Sequence, residues 1–322
     1  MCYLRVLTVT LNPALDRELV VENFTINNLH RVKNQKYSIM EPGGKGINVS
    51  LILSGFGIPS IAMGFIGGYI GAVVESRLRN LSDLVTTNFI NVEEETRENI
   101  TIIDPASDTI TEINSQGPFV DKRDIDKFMK RYLVSLGRVN AVVISGSVPP
   151  GIPEDFYYLL GNTAKEAGKL VVSESIGPCF EYAVKRGAFT VARPDLRSDQ
   201  KLFGQDLEDL DDYVEAGKKI VESGAKMAIL SYEIEGDVIA TEEGVWFFKT
   251  HEHVERSHLL GTGDSFVAGV VEHLLKHPHD YLNAAKRGMA AAITEAAYLG
   301  KERITLDDVE TNLTAFDISR LR

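Results

Sequence analysis

The residues best suited to chemistry stand at Gly261-Thr262-Gly263-Asp264-Ser265-Phe266, followed at once by the apolar, helix-periodic run VAGVVEHLL. Two glycines end a loop and a helix begins. The first turn of a helix offers N–H groups without intrahelical partners, at the positive end of its dipole. Glycines let an anion approach that backbone closely, and the Asp264 carboxylate reaches the same space. This combination suits phosphoryl transfer: the N–H groups stabilise charge on the moving group, and the carboxylate takes the proton of an attacking hydroxyl. The plainer reading is a favourable first-turn acid beside a tight connection. No GxxxxGK[ST] occurs, so this is not a Walker loop.

A second cluster, Glu41-Pro42-Gly43-Gly44-Lys45-Gly46-Ile47-Asn48, also leads into a helix. It joins exposed backbone N–H groups, a cation at Lys45, and an amide at Asn48 that both donates and accepts, as a sugar hydroxyl requires. A turn with a solvated lysine is the rival. Asn12-Pro13-Ala14-Leu15-Asp16 ends a buried run with a carboxylate at a strand tip, where ligands of open α/β sheets gather. Asp16 there is either a ligand for two vicinal hydroxyls or a plain turn residue. Thr96-Arg97-Glu98-Asn99 supplies an arginine, the preferred planar partner of phosphate. Lys45, Arg97 and Arg31 together would capture an anion, although each taken singly also reads as a solvated surface charge.

These residues need a frame. Short β-branched runs at Leu4–Thr10, Ala141–Ser145, Leu170–Ser173, Phe189–Ala192 and Met227–Ser231 predict strands. Between them, Ile47–Gly55, Ile70–Leu81, Asp121–Leu136, Pro153–Ala167 and Leu207–Ser223 predict amphipathic helices. That alternation implies a parallel sheet covered on both faces. Glu18–Met40 and Asn99–Asn114 break the rhythm. The latter reads as a hairpin turning at DPAS, and the two segments predict a small antiparallel lid, or simply an extra edge hairpin. Gly263–Gly300 predicts two helices broken at His277-Pro278. No repeat divides the chain, and one domain over 1–322 is expected.

Composition narrows the classes. With 322 residues and 44% hydrophobic content, the chain can bury a large core. The net charge of −12, with no basic run, disfavours nucleic acid and anionic membranes as partners; an anionic substrate would need a locally positive pocket. Cys2 and Cys179, the two cysteines, form no CxxC pair and no disulfide framework, as expected of free thiols in a reducing, cytoplasmic setting. The N-terminus lacks the pattern of a signal peptide, and no apolar run reaches the length of a membrane span. The histidines at 251, 253, 273, 277 and 279 lack the convergent partners of a zinc site. Trp246 reads as packed in a strand, and Lys122–Arg131 as a solvated helix face.

LNPALD, GGKGIN, TREN, SGSVPPG and GTGD occur in this order, and the chain from about Leu4 to Gly300 resembles the PfkB carbohydrate kinases of the ribokinase-like family. The resemblance implies an α/β fold, a ribokinase-like three-layer α/β/α sandwich with a small β-sheet lid built from about 17–41 and 97–115. It implies Asp264 as the base, Gly261, Thr262 and Gly263 as an anion hole, and Asp16, Gly43, Gly44 and Asn48 as sugar ligands. ATP with Mg²⁺ would be the donor. LNPALD and TRxN look like the phosphosugar branch, whose members act on fructose 1-phosphate or tagatose 6-phosphate; fructose 1-phosphate, giving the 1,6-bisphosphate, is the expectation. Lys45, Arg97 with Asn99, and Arg31 in His30-Arg31-Val32 would then serve the substrate phosphate, with Ser145 of Ser145-Gly146-Ser147 lining its pocket. The family's lids often pair, which implies a homodimer.

The nucleotide side, to which the resemblance assigns Arg193, Asp195, Ser231, Gly236 and Gly288, departs from the family. KPNxxE reads Arg193-Pro194-Asp195-Leu196-Arg197-Ser198, so Asp replaces Asn and Ser replaces the Glu that helps organise Mg²⁺. Asp195 keeps a carboxylate near the metal, and Mg²⁺ leans mainly on waters and phosphates. SLGxxG reads Ser231-Tyr232-Glu233-Ile234-Glu235-Gly236, placing two carboxylates where a triphosphate should pass, with Arg193 or Arg197 as compensators. His258-Leu259-Leu260 lacks the usual hydroxyl before the turn. An active kinase is the main expectation. A weakly active or inactive paralogue that binds phosphosugar as a regulatory protein is the alternative. An unphosphorylated sugar or a nucleoside is a third possibility, and Arg97 argues against it.

Overall fold

Val6–Thr10 is apolar on both faces and wholly buried, as a strand covered by helices on two sides must be. Successive side chains of such a strand point to opposite faces. Leu7, Val9, Val142 and Ile144 enter one core layer, while Val6, Ala141 and Val143 enter the other. The computed structural model describes residues 4–322 except 33, 198, 199, 233, 252 and 302. Cys2, Ser198 and Glu233, which figured in the sequence reading, lie outside the described residues.

Among the described residues the main sheet runs, from one edge, Val85–Thr87, Ser60–Gly67, Val6–Thr10, Ala141–Ser145, Leu170–Ser175, Val191–Pro194 and Met227–Tyr232, all parallel. It continues antiparallel through Gly236–Thr241, Gly244–Thr250 and Phe316–Arg320. Helices Lys122–Leu136, Phe156–Glu166, Pro178–Val184 and Leu210–Glu222 pack on one face. Lys45–Gly55, Thr262–Lys276 and Tyr281–Glu295 pack on the other. The result is a three-layer α/β/α sandwich. The chain leaves Val6–Thr10 for the strand on one side and later returns on the other, so the carboxyl ends of Val6–Thr10 and Ala141–Ser145 mark a topological switch point, where α/β sheets open a crevice.

The lid is a four-stranded sheet in the order Ser38–Gly43, Ala14–Val20, Arg97–Asp104, Thr109–Asn114. It is not the purely antiparallel lid expected. Its central pair is parallel, because those strands are joined by a long excursion through the main sheet rather than by a hairpin. The lid hairpin turns at 105–108, one residue beyond the expected DPAS. Asp104 accepts from the N–H groups of Ala106 and Ser107 at 3.1 and 3.3 Å, and from Asn23 and Phe24 at 2.9 Å each.

The helix break falls as expected: one helix ends at Lys276, His279 takes φ 71°, and the next begins at Tyr281. The helix expected from Leu207 begins at Leu210, because Asp209 and Asp212 form a capping box that fixes the start. Trp246 packs in the Gly244–Thr250 strand as expected; that strand's hairpin partner Gly236–Thr241, the Ser60–Gly67 strand and the Phe316–Arg320 edge strand are additions to the expected elements.

Candidate active site

Two helix N-termini converge where the lid meets the sheet. Gly44 precedes the Lys45–Gly55 helix at φ 110°, and Gly261 precedes Thr262–Lys276 at φ 85°. Both conformations favour glycine. Asn48 Nδ2 donates to Asp264 Oδ2 at 2.7 Å, joining residues 216 apart in sequence. Among the described residues no backbone acceptor meets the N–H groups of Gly263 and Asp264, whereas Ser265 N–H already bonds Gly261 O at 3.0 Å. Free donors at a helix N-terminus are the arrangement an anion would need. Thr262, expected in the anion hole, turns both its hydroxyl and its N–H back to Leu259 O, at 2.9 and 3.4 Å, so neither donor is free and the unengaged N–H groups of the turn are those of Gly263 and Asp264.

A cleft of about 400 Å³ lies over this junction, lined by Asp16, Gly44, Lys45, Asn48, Arg97, Asn99, Arg193, Asp195, Gly261, Gly263 and Asp264 among others. Asp264 is 5% exposed and its Oδ1 has no hydrogen-bond partner. Burial first, then the negative charge of Glu174, push its carboxyl up to about 6, against Lys45, the Asn48 hydrogen bond and Lys301. A base poised near neutral pH, with one oxygen unengaged, is suited to accept a hydroxyl proton.

One end of the cleft is built on the lid. Asp16 receives Asn99 Nδ2 at Oδ1, 2.9 Å away, and Lys301 Nζ at Oδ2, 2.6 Å away. Gly43 faces it across the strand pair, and a Cβ there would fall 2.0 Å from Asp16 Oδ2; the glycine makes room for the carboxylate rather than binding through a side chain. Arg97 donates to Asn12 O from Nε and Nη2 at 3.2 and 3.0 Å, and to Ser115 O from Nη1 at 3.2 Å. Burial draws its pKa down, against the pull of Asp16.

The other end of the cleft is a chain of alternating charges. Glu174 Oε1 accepts from Lys45 Nζ at 3.1 Å and from Arg193 Nη1 at 2.6 Å. Lys45 also meets Asp195 Oδ2 at 3.0 Å, and Arg197 grips Asp195 with two bonds of 2.9 and 3.1 Å. Burial alone would raise the Asp195 carboxyl, but Lys45 and Arg197 hold it well below the usual range. Arg193 reaches Ser231 Oγ at 2.7 Å, which in turn donates to Asp237. An adjoining groove of about 290 Å³ shares Arg193, Asp195 and Arg197 with the cleft and is also lined by Ser231. Among the described residues no group of three or more His, Cys, Asp or Glu is arranged to hold a metal ion. The donor set, with Asp195 and the unpartnered Glu174 Oε2, fits Mg²⁺ arriving with a nucleotide.

Four expected residues stand elsewhere. Arg31 is exposed on the loop after Ala14–Val20 and lines no part of the cleft. Ser145 is fully buried at a strand end, where strand alternation turns it into the sheet; Gly146 and Ser147 line the cleft instead, and Ser147 Oγ accepts from Asn12 at 3.2 Å. Gly236 opens a strand so tightly paired that a Cβ would meet Phe248 O at 1.9 Å, and Gly288 packs beneath the Phe266 ring; both are packing positions outside the cleft and the adjoining groove. Glu235 pairs with Lys249 at 3.7 Å and lines neither cavity. Sequence reasoning missed Glu174 and Lys301. A carboxylate at the carboxyl end of a buried strand was the available signal for Glu174; nothing local marked Lys301. It also missed the tie from Ser257, which donates its N–H and hydroxyl to Asp108 Oδ1 at 2.9 and 3.1 Å, linking the lid hairpin to the loop before the anion-binding turn.

Comparison with known proteins agrees with this geometry. The model of the pfkB family carbohydrate kinases matches residues 11–302. A 1-phosphofructokinase of Bacillus subtilis (strain 168) is 34% identical over 272 residues, covering 84% of this chain and 85% of the relative. One of Borreliella burgdorferi is 31% identical over 264 residues, covering 82% and 83%. The crystal structure of a "possible 1-phosphofructokinase" from Thermotoga maritima superposes with a TM-score of 0.95 at 43% identity, covering 99% of this chain and 100% of that one. With a ribokinase-like sandwich, a β lid and the GxGD turn in place, the chain belongs to the pfkB family of carbohydrate kinases and is a sugar-phosphorylating phosphotransferase.

Proposed function

We propose that this kinase phosphorylates fructose 1-phosphate at its free primary hydroxyl to give the 1,6-bisphosphate, with ATP as donor and Mg²⁺ carried by the nucleotide, as one catalytic domain spanning 1–322. The observation that carries the choice of a phosphorylated acceptor is Arg97. Lys45, Arg193, Arg197 and Lys301 each face a carboxylate within 4.0 Å. Arg97 is the cleft cation that, among the described residues, faces none and bonds only carbonyl oxygens. A half-buried guanidinium of this kind, with no carboxylate within 4.0 Å among the described residues, suits an anionic group on the substrate at the acceptor end. The names of the curated relatives support the same acceptor.

Bound ATP with Mg²⁺ supplies an electrophilic phosphoryl group whose charge is partly neutralised. The chain does the rest. Arg97 holds the sugar phosphate, Asp16 and Asn48 orient hydroxyls, and Asp264 Oδ1 takes the proton of the attacking hydroxyl. The N–H groups of Gly263 and Asp264 stabilise negative charge beside it, and the lid keeps water out. Lys45 and Arg193, now engaged by Glu174, line the path of the donor phosphates, with Asp195 and Ser231 beside them.

A second copy is proposed to pair at the lid, whose outer strand leaves Ile113 55% exposed and whose adjoining loop leaves Ile26 84% and Leu29 73% exposed. A phosphate-binding role for Arg31 requires that pairing, because it lies outside its own chain's cleft. A cytoplasmic setting suits ATP and the free, buried Cys179 thiol, which burial pushes up to about 11. Among the described residues no helix is long and apolar enough to cross a membrane.

One observation favours a binding protein with little turnover. A Cβ on Gly263 would lie 2.5 Å from Glu174 Oε1 and 2.7 Å from Arg193 Nη1, so this ion pair sits against the anion-binding turn and must yield to a donor. ADP release measured with ATP and Mg²⁺ on fructose 1-phosphate, fructose 6-phosphate, tagatose 6-phosphate and fructose separates the readings. Turnover concentrated on fructose 1-phosphate is expected. Turnover concentrated on tagatose 6-phosphate would reassign the acceptor. Thermal stabilisation by phosphosugar without ADP release would establish the binding protein.

A further inference from the structure

Lys301 comes to the acceptor end from the far end of the chain, 285 residues after its partner Asp16. It follows Gly300, which takes φ 86° and where a Cβ would meet Glu18 Oε2 at 2.9 Å. Its side chain is 17% exposed. Its ammonium lies 2.6 Å from Asp16 Oδ2 and 3.6 Å from Glu18 Oε1, it lines the cleft that holds Asp264, and its Cγ would be 3.5 Å from a Cβ on Gly261. One side chain thus pairs with Asp16 on the lid and lies near the turn that carries Asp264.

We propose that Lys301 is a positioning residue for the acceptor: it fixes the Asp16 carboxylate to receive the sugar hydroxyls, and it sets a positive charge beside Asp264. This rests on the sugar-kinase reading of the same cleft.

The geometry makes the case. A carboxylate that receives two hydroxyls must keep a lone pair open on each oxygen. Asn99 occupies one position on Oδ1, Lys301 one on Oδ2, and the Gly43 backbone closes the third side. With the carboxylate plane so fixed, both remaining lone pairs have set directions. Without Lys301, Asp16 and the 4%-exposed Glu18 would face each other and Glu41 without the ammonium that now offsets them, an arrangement that burial penalises heavily. Burial works against the Lys301 charge, yet Asp16 and Glu18 outweigh it and hold the ammonium protonated.

The second part concerns pH. Asp264 is faced by Glu174 from the Leu170–Ser175 strand, Lys45 from the Lys45–Gly55 helix, and Lys301; Glu174 raises its pKa, while Lys45 and Lys301 lower it. Glu295, at the end of Tyr281–Glu295, lies against Gly261 in the same turn. Activity needs the ionised base, so it is lost as pH falls through the Asp264 pKa. Removing Lys301 raises that pKa and moves the acid limb of kcat/KM to higher pH.

The test compares wild type, Lys301→Gln and Lys301→Arg for kcat and KM on fructose 1-phosphate and ATP across pH, with melting temperatures alongside. Lys301→Gln is expected to raise the sugar KM at least about tenfold, the loss of one charge-assisted hydrogen bond. It should leave the ATP KM within about twofold and shift the acid limb upward. Lys301→Arg, which keeps the charge in a wider group, is expected to restore the acid limb but not the sugar KM. A Lys301→Gln enzyme that only melts earlier, with sugar KM and acid limb unmoved, would overturn the proposal. So would an Arg variant whose acid limb lies well above that of wild type, a comparison that decides the matter even if the Gln variant does not fold. Wild-type turnover in the same series tests the kinase reading on its own; its absence would remove that reading and this inference together.

Discussion

Replacing Arg97 by alanine isolates the acceptor phosphate. A guanidinium has five N–H groups; three bond the carbonyls of Asn12 and Ser115, which leaves two for a phosphate. Hydrogen bonds to charged groups are worth about 1.5–3 kcal/mol each and do not add fully. A loss of about 3 kcal/mol is therefore expected, or roughly 150-fold in KM for fructose 1-phosphate at 1.4 kcal/mol per tenfold. The ATP KM should change less than about threefold, since Lys45 and Arg193 stand at the other end of the cleft. Residual activity on unphosphorylated fructose should hardly move, because that substrate brings no phosphate to Arg97. The assay is steady-state ADP release with each substrate varied at saturating levels of the other. An equal rise in both KM values, or a sugar KM within about threefold of wild type, would refute the phosphate clamp.

Two further substitutions probe the rest of the cleft. Glu174→Gln removes a negative charge that raises the Asp264 pKa, so the acid limb of kcat/KM, expected near pH 6 in the wild type, should move to lower pH; a limb that stays or rises would contradict the assigned charge network. Gly43→Ala sets a methyl 2.0 Å from Asp16 Oδ2; strain of about 1–3 kcal/mol should appear as a sugar KM raised by about fivefold or more with ATP KM unchanged, and an unchanged sugar KM would deny Asp16 its role.

Most of this architecture is legible where local rules suffice. The Thr262–Lys276 helix and its glycine turn follow from periodicity and capping, and the His277-Pro278 break follows from proline sterics. Ser60–Gly67 escaped because all eight of its residues are buried; with both faces covered, it shows no alternation to separate it from its helical neighbours. The parallel pairing inside the lid could not be read, because spacing along the chain does not report which strands meet. In the site, Asp16, Asn48, Arg97 and Asp264 lie in short motifs of distinctive chemistry. Glu174 and Lys301 are single charges whose partners stand 129 and 285 residues away, and only the fold brings them in. Gly236 and Gly288 were assigned to the nucleotide, yet both serve close backbone or ring packing, a use of glycine that sequence alone does not distinguish from ligand approach.

Asp264→Asn, measured for both turnover and sugar binding, tests the central claim most directly. The amide can keep a hydrogen bond to Asn48 after an amide flip, but it cannot take the hydroxyl proton. The account predicts that kcat for fructose 1-phosphate falls by about 10²–10⁴, while calorimetric affinity for the sugar phosphate stays within about threefold. Near-full turnover in this variant would contradict Asp264 as the base, and with it the mechanism built around the 261–264 turn.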